Sequence, residues 1–352
     1  MKARRRLLII ALCVLAFVAA VVSVVLLRKE AAPEAARLLP EADAVVYIDF
    51  ATVRSLTSFD QQPLPQLAPG YEQFVKETGF SFERDLDEAA MSIHRGHGRG
   101  GTRYTEILIG HYDQGKLGQY LRQHARNVEN YRNVDVFSVP VEDRTLRIAM
   151  LAIDTVAISN VDDASIIHGI IDRFKKVALP FGGPTLVQVY YPKIPLGSLL
   201  WSIAHIPSQT APTAKNPHPQ PSFTLPGGVD VGLPGESDVV VSLRMLTTIH
   251  ARAEFYTQSN DAARNFAEQS NAFLTLFHSL QANSAPSAGD ADIKAVFDSI
   301  KVTNKAERAE VTATIPPTFL RKLVHDPASN AVQGSGSTDG TSNSANSSAD
   351  KK

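Results

Sequence analysis

Residues 93–104, IHRGHGRGGTRY, place two histidines, three arginines and four glycines within one short stretch. Gly96, Gly98 and Gly101 satisfy G-x-G-x-x-G. His94 and His97 stand three apart, and Arg95, Arg99 and Arg103 surround them. A dinucleotide loop needs a strand before the glycines and a helix after them, whose N-terminus receives the pyrophosphate. Here YTEILIGH follows and reads as a second strand. About 20 residues past Gly101 stands Leu121, with no carboxylate to hold a ribose. That chemistry is excluded. A metal needs three or four converging ligands. His94 and His97 supply two, and Glu106, diagonal to His94 across a hairpin, is the best third. The three arginines with the glycine amides offer another chemistry, the grip of a carboxylate or phosphate on a lipid headgroup or an acidic partner. A plain exposed hairpin tip, with glycines for positive φ and basic residues for solubility, needs no ligand at all.

Whichever reading holds, two strands must present the tip. Asp87–His94 alternates, with Ala89, Met91 and Ile93 on one face. Tyr104–His111 alternates too, with Thr105, Ile107 and Ile109 on one face. Setting Ile93 opposite Thr105 also sets Met91 opposite Ile107 and Ala89 opposite Ile109, so one register joins the two apolar faces. It sets His111 opposite Asp87, about 23 Å along the strand from His94 at ~3.3 Å per residue, too far to be a third ligand.

The flanking pattern extends this unit. ADAVVYIDF opens the folded region as a strand, and Tyr71–Thr78 reads as a helix stopped by Gly79. A helix over 113–126, strands at Val134–Val139, Arg144–Leu151 and Thr155–Asn160, and a helix over Asp162–Lys175 follow. Asp162 or Asp163 would cap that last helix. Eleven of the 21 prolines fall between 180 and 236, a connection interrupted by the apolar run LGSLLWSIAHI, which holds Trp201. Beyond it lie strands Asp238–Leu243 and Thr248–Tyr256, and a long helix from Asn260 to Ala282 capped by Ser259 or Asn260. A helix Asp290–Phe297, strands Ser299–Thr303 and Arg308–Ile315, and a helix starting at Pro316–Pro317 complete the pattern. The polar tail from 326 to 352 is too small and too polar to bury a core.

The expected fold is α+β: an N-terminal transmembrane helix followed by two antiparallel-sheet modules, residues 41–178 and 237–325, joined by the 179–236 connection. Residues 41–176 and 237–325 could be a duplication. The transmembrane reading rests on 7–27, LLIIALCVLAFVAAVVSVVLL, which carries no charge, with Lys2, Arg4, Arg5 and Arg6 in the basic tip 1–6. As a helix it spans about 31 Å at ~1.5 Å per residue. The flanking charges set the N-terminus in the cytoplasm and the main domain outside it, after a spacer at 28–40. The bilayer would be one partner. Cys13, within that run, is the only cysteine, so a core rather than disulfides must hold the rest.

Removing the four leading basic residues leaves 31 Lys+Arg against 36 Asp+Glu, a mildly acidic remainder that argues against nucleic acid as a partner. G-x-S-x-G, H-E-x-x-H and G-K-[ST] do not occur. The carboxylates of ERDLDE (83–88) suit a polar turn better than acid–base chemistry. No cofactor is expected. The sequence therefore points to a binding or assembly module of the cell envelope, with Arg95, Arg99 and Arg103 meeting an anionic partner. A hydrolase with a metal or arginine-lined site at His94, His97 and Glu106, and a carrier of a lipid-like ligand between the modules, are the alternatives.

LLPEADAVVYIDF, TGFSFERDLDEAAMSI, LLWSIA and FDSIKVTNKAERAEVTATIPPTFL resemble uncharacterised bacterial membrane-anchored exported proteins, over residues 40–325. The resemblance implies an inner-membrane location and transfers no catalytic residue.

Overall fold

The computed structural model describes residues 31–57, 69–95, 102–142, 144–176, 183–207, 222–225, 229–245, 247–282 and 290–316. Strands dominate: β1 (Ala44–Asp49), β2 (Leu86–His94), β3 (Arg103–Gly110), β4 (Asn127–Tyr131), β5 (Val134–Val141), β6 (Arg144–Met150), β7 (Thr155–Ser159), β8 (Ser198–Ile206), β9 (Ser222–Leu225), β10 (Val229–Gly232), β11 (Ser237–Met245), β12 (Ile249–Thr257), β13 (Lys301–Lys305) and β14 (Arg308–Ile315). The helices are α1 (Glu34–Leu38), α2 (Phe50–Thr57), α3 (Pro69–Thr78), α4 (Phe82–Asp85), α5 (Gln114–His124), α6 (Ser165–Phe174), α7 (Thr185–Tyr190), α8 (Asn260–Ala282) and α9 (Asp290–Ser299).

The two expected sheets are one. Twelve strands run β13-β14-β12-β11-β8-β1-β2-β3-β7-β6-β5-β4, with every described pair antiparallel; β9 and β10 form a separate hairpin. The Trp201 segment, which lies in the proline-rich connection, is the reason. As β8 it pairs with β1 on one side and β11 on the other. A β-branched and aromatic run satisfied on both edges is a central strand, and it fuses the modules.

Reading outward from the β1–β8 seam, both halves follow one plan. Three meandering strands are followed by a helix, and the last strand of the half returns beside the third. The halves are β1-β2-β3 with α5 and β7, and β8-β11-β12 with α8 and β14. The second half thus starts at β8, upstream of residue 237.

The sheet registers align one row of side chains across all twelve strands. It reads Glu129, Val136, Ala149, Ala157, Ile107, Ala90, Tyr47, Trp201, Ser242, Arg252, Thr312 and Lys301. We call its face the front. From Val136 to Trp201 the row is apolar and buried, covered by Ala35, Ala36 and Leu39 of the α1 segment, by Ile167, Ile170 and Ile171 of α6, and by Val187 of α7. On the back face, α5 packs Leu117 and Leu121 on Phe137 and Val156, while α8 packs Ala263 and Phe266 on Phe255 and Ala309. Ser259 caps α8, its Oγ accepting from the Ala262 amide at 3.2 Å.

Among the described residues no helix is long and apolar enough to cross a membrane. Residues 7–27 lie outside the described residues, as do the tail and the helix expected from Pro316–Pro317. With no spanning helix among the described residues, the expected transmembrane helix, the signal-anchor and the single-pass inner-membrane location are not supported.

The expected hairpin exists, but one residue out of register. Met91 pairs with Glu106 and Ile93 with Tyr104. The pairing shifts once more at the base of β2, where Asp87 is an extra residue between the pairs Leu86–Gly110 and Glu88–Ile109. Gly110 permits the bulge, because a Cβ there would stand 2.4 Å from the Asp85 carbonyl oxygen. A one-residue slip moves every side chain of one strand to the other face of its partner's pattern. At the opposite edge, Arg132 and Asn133 at φ 49° and 60° make the tight turn joining β4 to β5.

Candidate functional site

The slip dissolves the metal reading. Ala90, Ser92 and His94 share the front face with Ile107 and Thr105, while Glu106 pairs with Met91 on the back. His94 and Glu106 are on opposite sides of the sheet, and His97 lies outside the described residues. Among the described residues no three His, Cys, Asp or Glu side chains are placed to hold a metal. Burial holds the Glu106 carboxyl above the usual carboxylate range. Burial lowers the His94 imidazole, against the opposing pull of Asp43.

Two of the three tip arginines lie among the described residues. The Arg95 amide donates to Asp43 Oδ2 at 2.7 Å, and its guanidinium donates to the His205 carbonyl at 3.0 Å. It ties the ends of β1, β2 and β8 together. Arg103 donates to Asp162 Oδ2 at 2.9 Å. Arg99 lies outside the described residues. The described part of the tip is therefore spent on internal contacts. So are the ERDLDE carboxylates. Glu83 accepts from Tyr71 and Ser81, Asp85 pairs with Arg84, and Asp87 pairs with Arg54 and with His111, 3.2 Å away.

The open region is the front face beyond Trp201. Tyr190 of α7 covers one end of it, its hydroxyl donating to Asp238 Oδ2 at 2.6 Å and its ring 5.0 Å from that of Tyr256, and Val240 of β11 joins the buried core. Away from that end, β11, β12, β14 and β13 carry polar front side chains. β12 presents His250, Arg252, Glu254 and Tyr256; β14 presents Arg308, Glu310, Thr312 and Thr314; β11 adds Ser242 and Arg244; β13 adds Lys301. Strict alternation with Ala251, Ala253, Phe255, Ala309 and Val311, which face α8, produces this set.

Glu254 and Glu310 lie directly opposite one another on β12 and β14, an arrangement that repels unless cations intervene. Two arginines intervene on the diagonals. Arg308 donates to Glu254 Oε1 at 2.7 Å, and Arg252 Nη2 donates to the same oxygen at 3.0 Å. Arg252 Nε stands 3.0 Å from Glu310 Oε1, off the line of a hydrogen bond. The Glu254 side chain is 2% exposed, against 30% and 33% for the two arginines. Burial works against the Arg308 guanidinium charge, but Tyr256, Glu254 and Glu310 outweigh it and raise its pKa. This lattice fixes Arg252 rigidly at the wall of a cavity.

That cavity, about 500 Å³, is floored by Ser242, Thr312 and Thr314 and rimmed by Arg244, His250, Arg252, Ser299, Lys301 and Glu310. Its permanent cations number three against one carboxylate, and Arg252 and Glu310 already pair. Among the described residues Arg244 and Lys301 make no ion pair. Arg244 and Lys301 over hydroxyl donors, beside an ion-paired guanidinium, are the kinds of group that recognise carboxylates and phosphates. Sequence reading identified β12 and β14 as strands but attached no chemistry to them. The signal was present in HARAEFY and RAEVTAT, where each polar residue is charged or hydroxylic at period two.

No family model matches the chain, and no curated protein matches it. Among solved structures, crystal forms III, IV and I of TP0453 are similar to it. Their TM-scores are 0.41, 0.38 and 0.39 at 8%, 8% and 9% identity, over 83%, 84% and 84% of this chain and 98% of each of those chains.

Proposed function

We propose that the chain is a binding module whose open front face takes an anionic group, a carboxylate or phosphate, in the cavity between β11 and β13. The observation that carries this reading is the pair Arg244 and Lys301, unspent at the rim of a hydroxyl-floored cavity whose third cation is locked by Glu254 and Glu310. The anionic partner expected from the sequence is kept, and its address moves from the 95–103 tip to the far half of the sheet. A ligand here meets two mobile charges and one fixed one, which suits recognition by charge and hydrogen bonding.

Calorimetric titration of the protein with inorganic phosphate tests this. Binding is expected to weaken as salt rises and to fall at least tenfold in Arg244→Ala/Lys301→Ala. Arg103→Ala should bind as the parent does. Equal phosphate affinity in the double variant and the parent would sink the assignment.

A further inference from the structure

Pro195 lines the anionic cavity and also a second one, of about 140 Å³, on the same face. This annex is walled by Tyr47, Asp49, Tyr191, Ser198 and Trp201. Resting on the anion reading above, we propose that the two cavities together hold a dipolar ligand: an organic ammonium joined by a short linker to an anionic group, with the ammonium in the annex.

The annex has the chemistry of a cation site. Tyr47 and Trp201 stack with centroids 5.3 Å apart, and Tyr191 meets Trp201 edge-on at 5.6 Å. Ring faces carry the negative part of the aromatic quadrupole and attract alkylammonium groups. Tyr47 and Trp201 face each other and are buried, so Tyr191 is the ring that keeps solvent contact for a ligand. Asp49 adds a carboxylate. Its oxygens accept from the Thr52 amide at 2.8 Å and the Thr52 hydroxyl at 2.7 Å, which anchors the side chain at the start of α2. Beside it, burial pushes the Glu88 carboxyl up against the opposing hydrogen bond from Tyr47, and the charges of Asp49, Asp87 and Glu34 add to the rise.

The two cavities share Pro195 as a wall and lie over adjacent strands. Trp201 pairs with Ser242, and Ser198 with Arg244, across β8 and β11. Neighbouring strands lie ~4.8 Å apart, so the opposite charges of one ligand would sit on the order of 5–10 Å from each other. Phosphocholine has that span, with a compact quaternary ammonium at one end and a phosphate at the other.

Trp201 is the chain's only tryptophan, so its emission reports on the annex directly. The full chain is titrated with phosphocholine and, separately, with inorganic phosphate. Phosphocholine is expected to bind at least tenfold more tightly than phosphate and to shift the Trp201 emission. Asp49→Asn, which keeps a capping side chain for α2, should bring phosphocholine down to the affinity of phosphate while leaving phosphate binding intact. Tyr191→Leu, which removes a ring without touching the cap, should weaken phosphocholine about fivefold. Vesicles of phosphatidylcholine tell the two sources apart: binding to vesicles assigns the ligand to a lipid headgroup, and binding only to free phosphocholine assigns it to a soluble solute. If phosphocholine and phosphate bind equally and Trp201 does not respond, the annex holds no cation and the anion site stands alone. If neither binds to folded protein, both readings fall.

Discussion

The same front-face row passes through two unlike environments. Between β5 and β8 it reads Val136, Ala149, Ala157, Ile107, Ala90, Tyr47 and Trp201, under α1, α6 and α7. Between β11 and β13 it reads Ser242, Arg252, Thr312 and Lys301, polar throughout. Both stretches belong to halves of one plan related about the β1–β8 seam. The first half covers the row with a helix that follows β7. The second leaves it open and stabilises it with crossed ion pairs. One half uses its front face to hold the fold, and the other keeps part of its front face outside that core.

Substitutions that treat the two stretches alike should break this contrast. Ile107→Ala, in the covered stretch, should cost about 2–5 kcal/mol in chemical denaturation, from lost transfer energy plus the cavity left; Thr312→Val, in the open stretch, should change stability little. A comparable loss at both positions would erase the distinction. Glu254→Gln leaves Arg252 and Arg308 facing each other without their buried partner. The cost should be about 2–3 kcal/mol, below the ~3–5 of a fully buried pair because both guanidiniums keep solvent contact. Phosphate affinity should fall as well, since Arg252 loses its anchor.

A back-face test sharpens the contrast. Glu106 titrates above its unfolded value, so the unfolded chain releases its proton first, and stability drains as pH rises from the unfolded pKa through the folded one. Glu106→Gln should therefore raise the melting temperature at pH 7, and the gain should vanish near pH 3. A gain that persists in acid would implicate packing instead. The smallest effect is expected at the tip. Arg103→Ala should cost ~0.2–1 kcal/mol, because its partner Asp162 is 77% exposed.

Much of the fold was legible in the sequence. The long helix Asn260–Ala282, the strands around residues 136, 148 and 157, and the hairpin itself follow from periodicity. What was not legible is long-range. Pairing apolar faces across the hairpin gave a register that put Met91 opposite Ile107. The strands instead pair with Met91 opposite Glu106, and that one-residue slip puts His94 and Glu106 on opposite faces. The Trp201 strand was visible as an apolar run, but nothing local says which strands flank it, and so two sheets were expected where there is one. The candidate site was missed for a related reason. Arg252 and Glu310 are ordinary outward residues on separate strands until register places them side by side.

The seam has a kinetic consequence. Val46 pairs with Ser202, so the centre of the sheet forms only after a loop as long as a small domain has closed. Contacts of such sequence separation slow folding. Until β8 arrives, β1 stands as a bare edge with Val45, Val46 and Ile48 exposed, a template for association between nascent chains. A chain cut between the two halves would carry that edge permanently. The halves share one plan, but neither is a unit of folding, and the whole sheet should melt in a single transition.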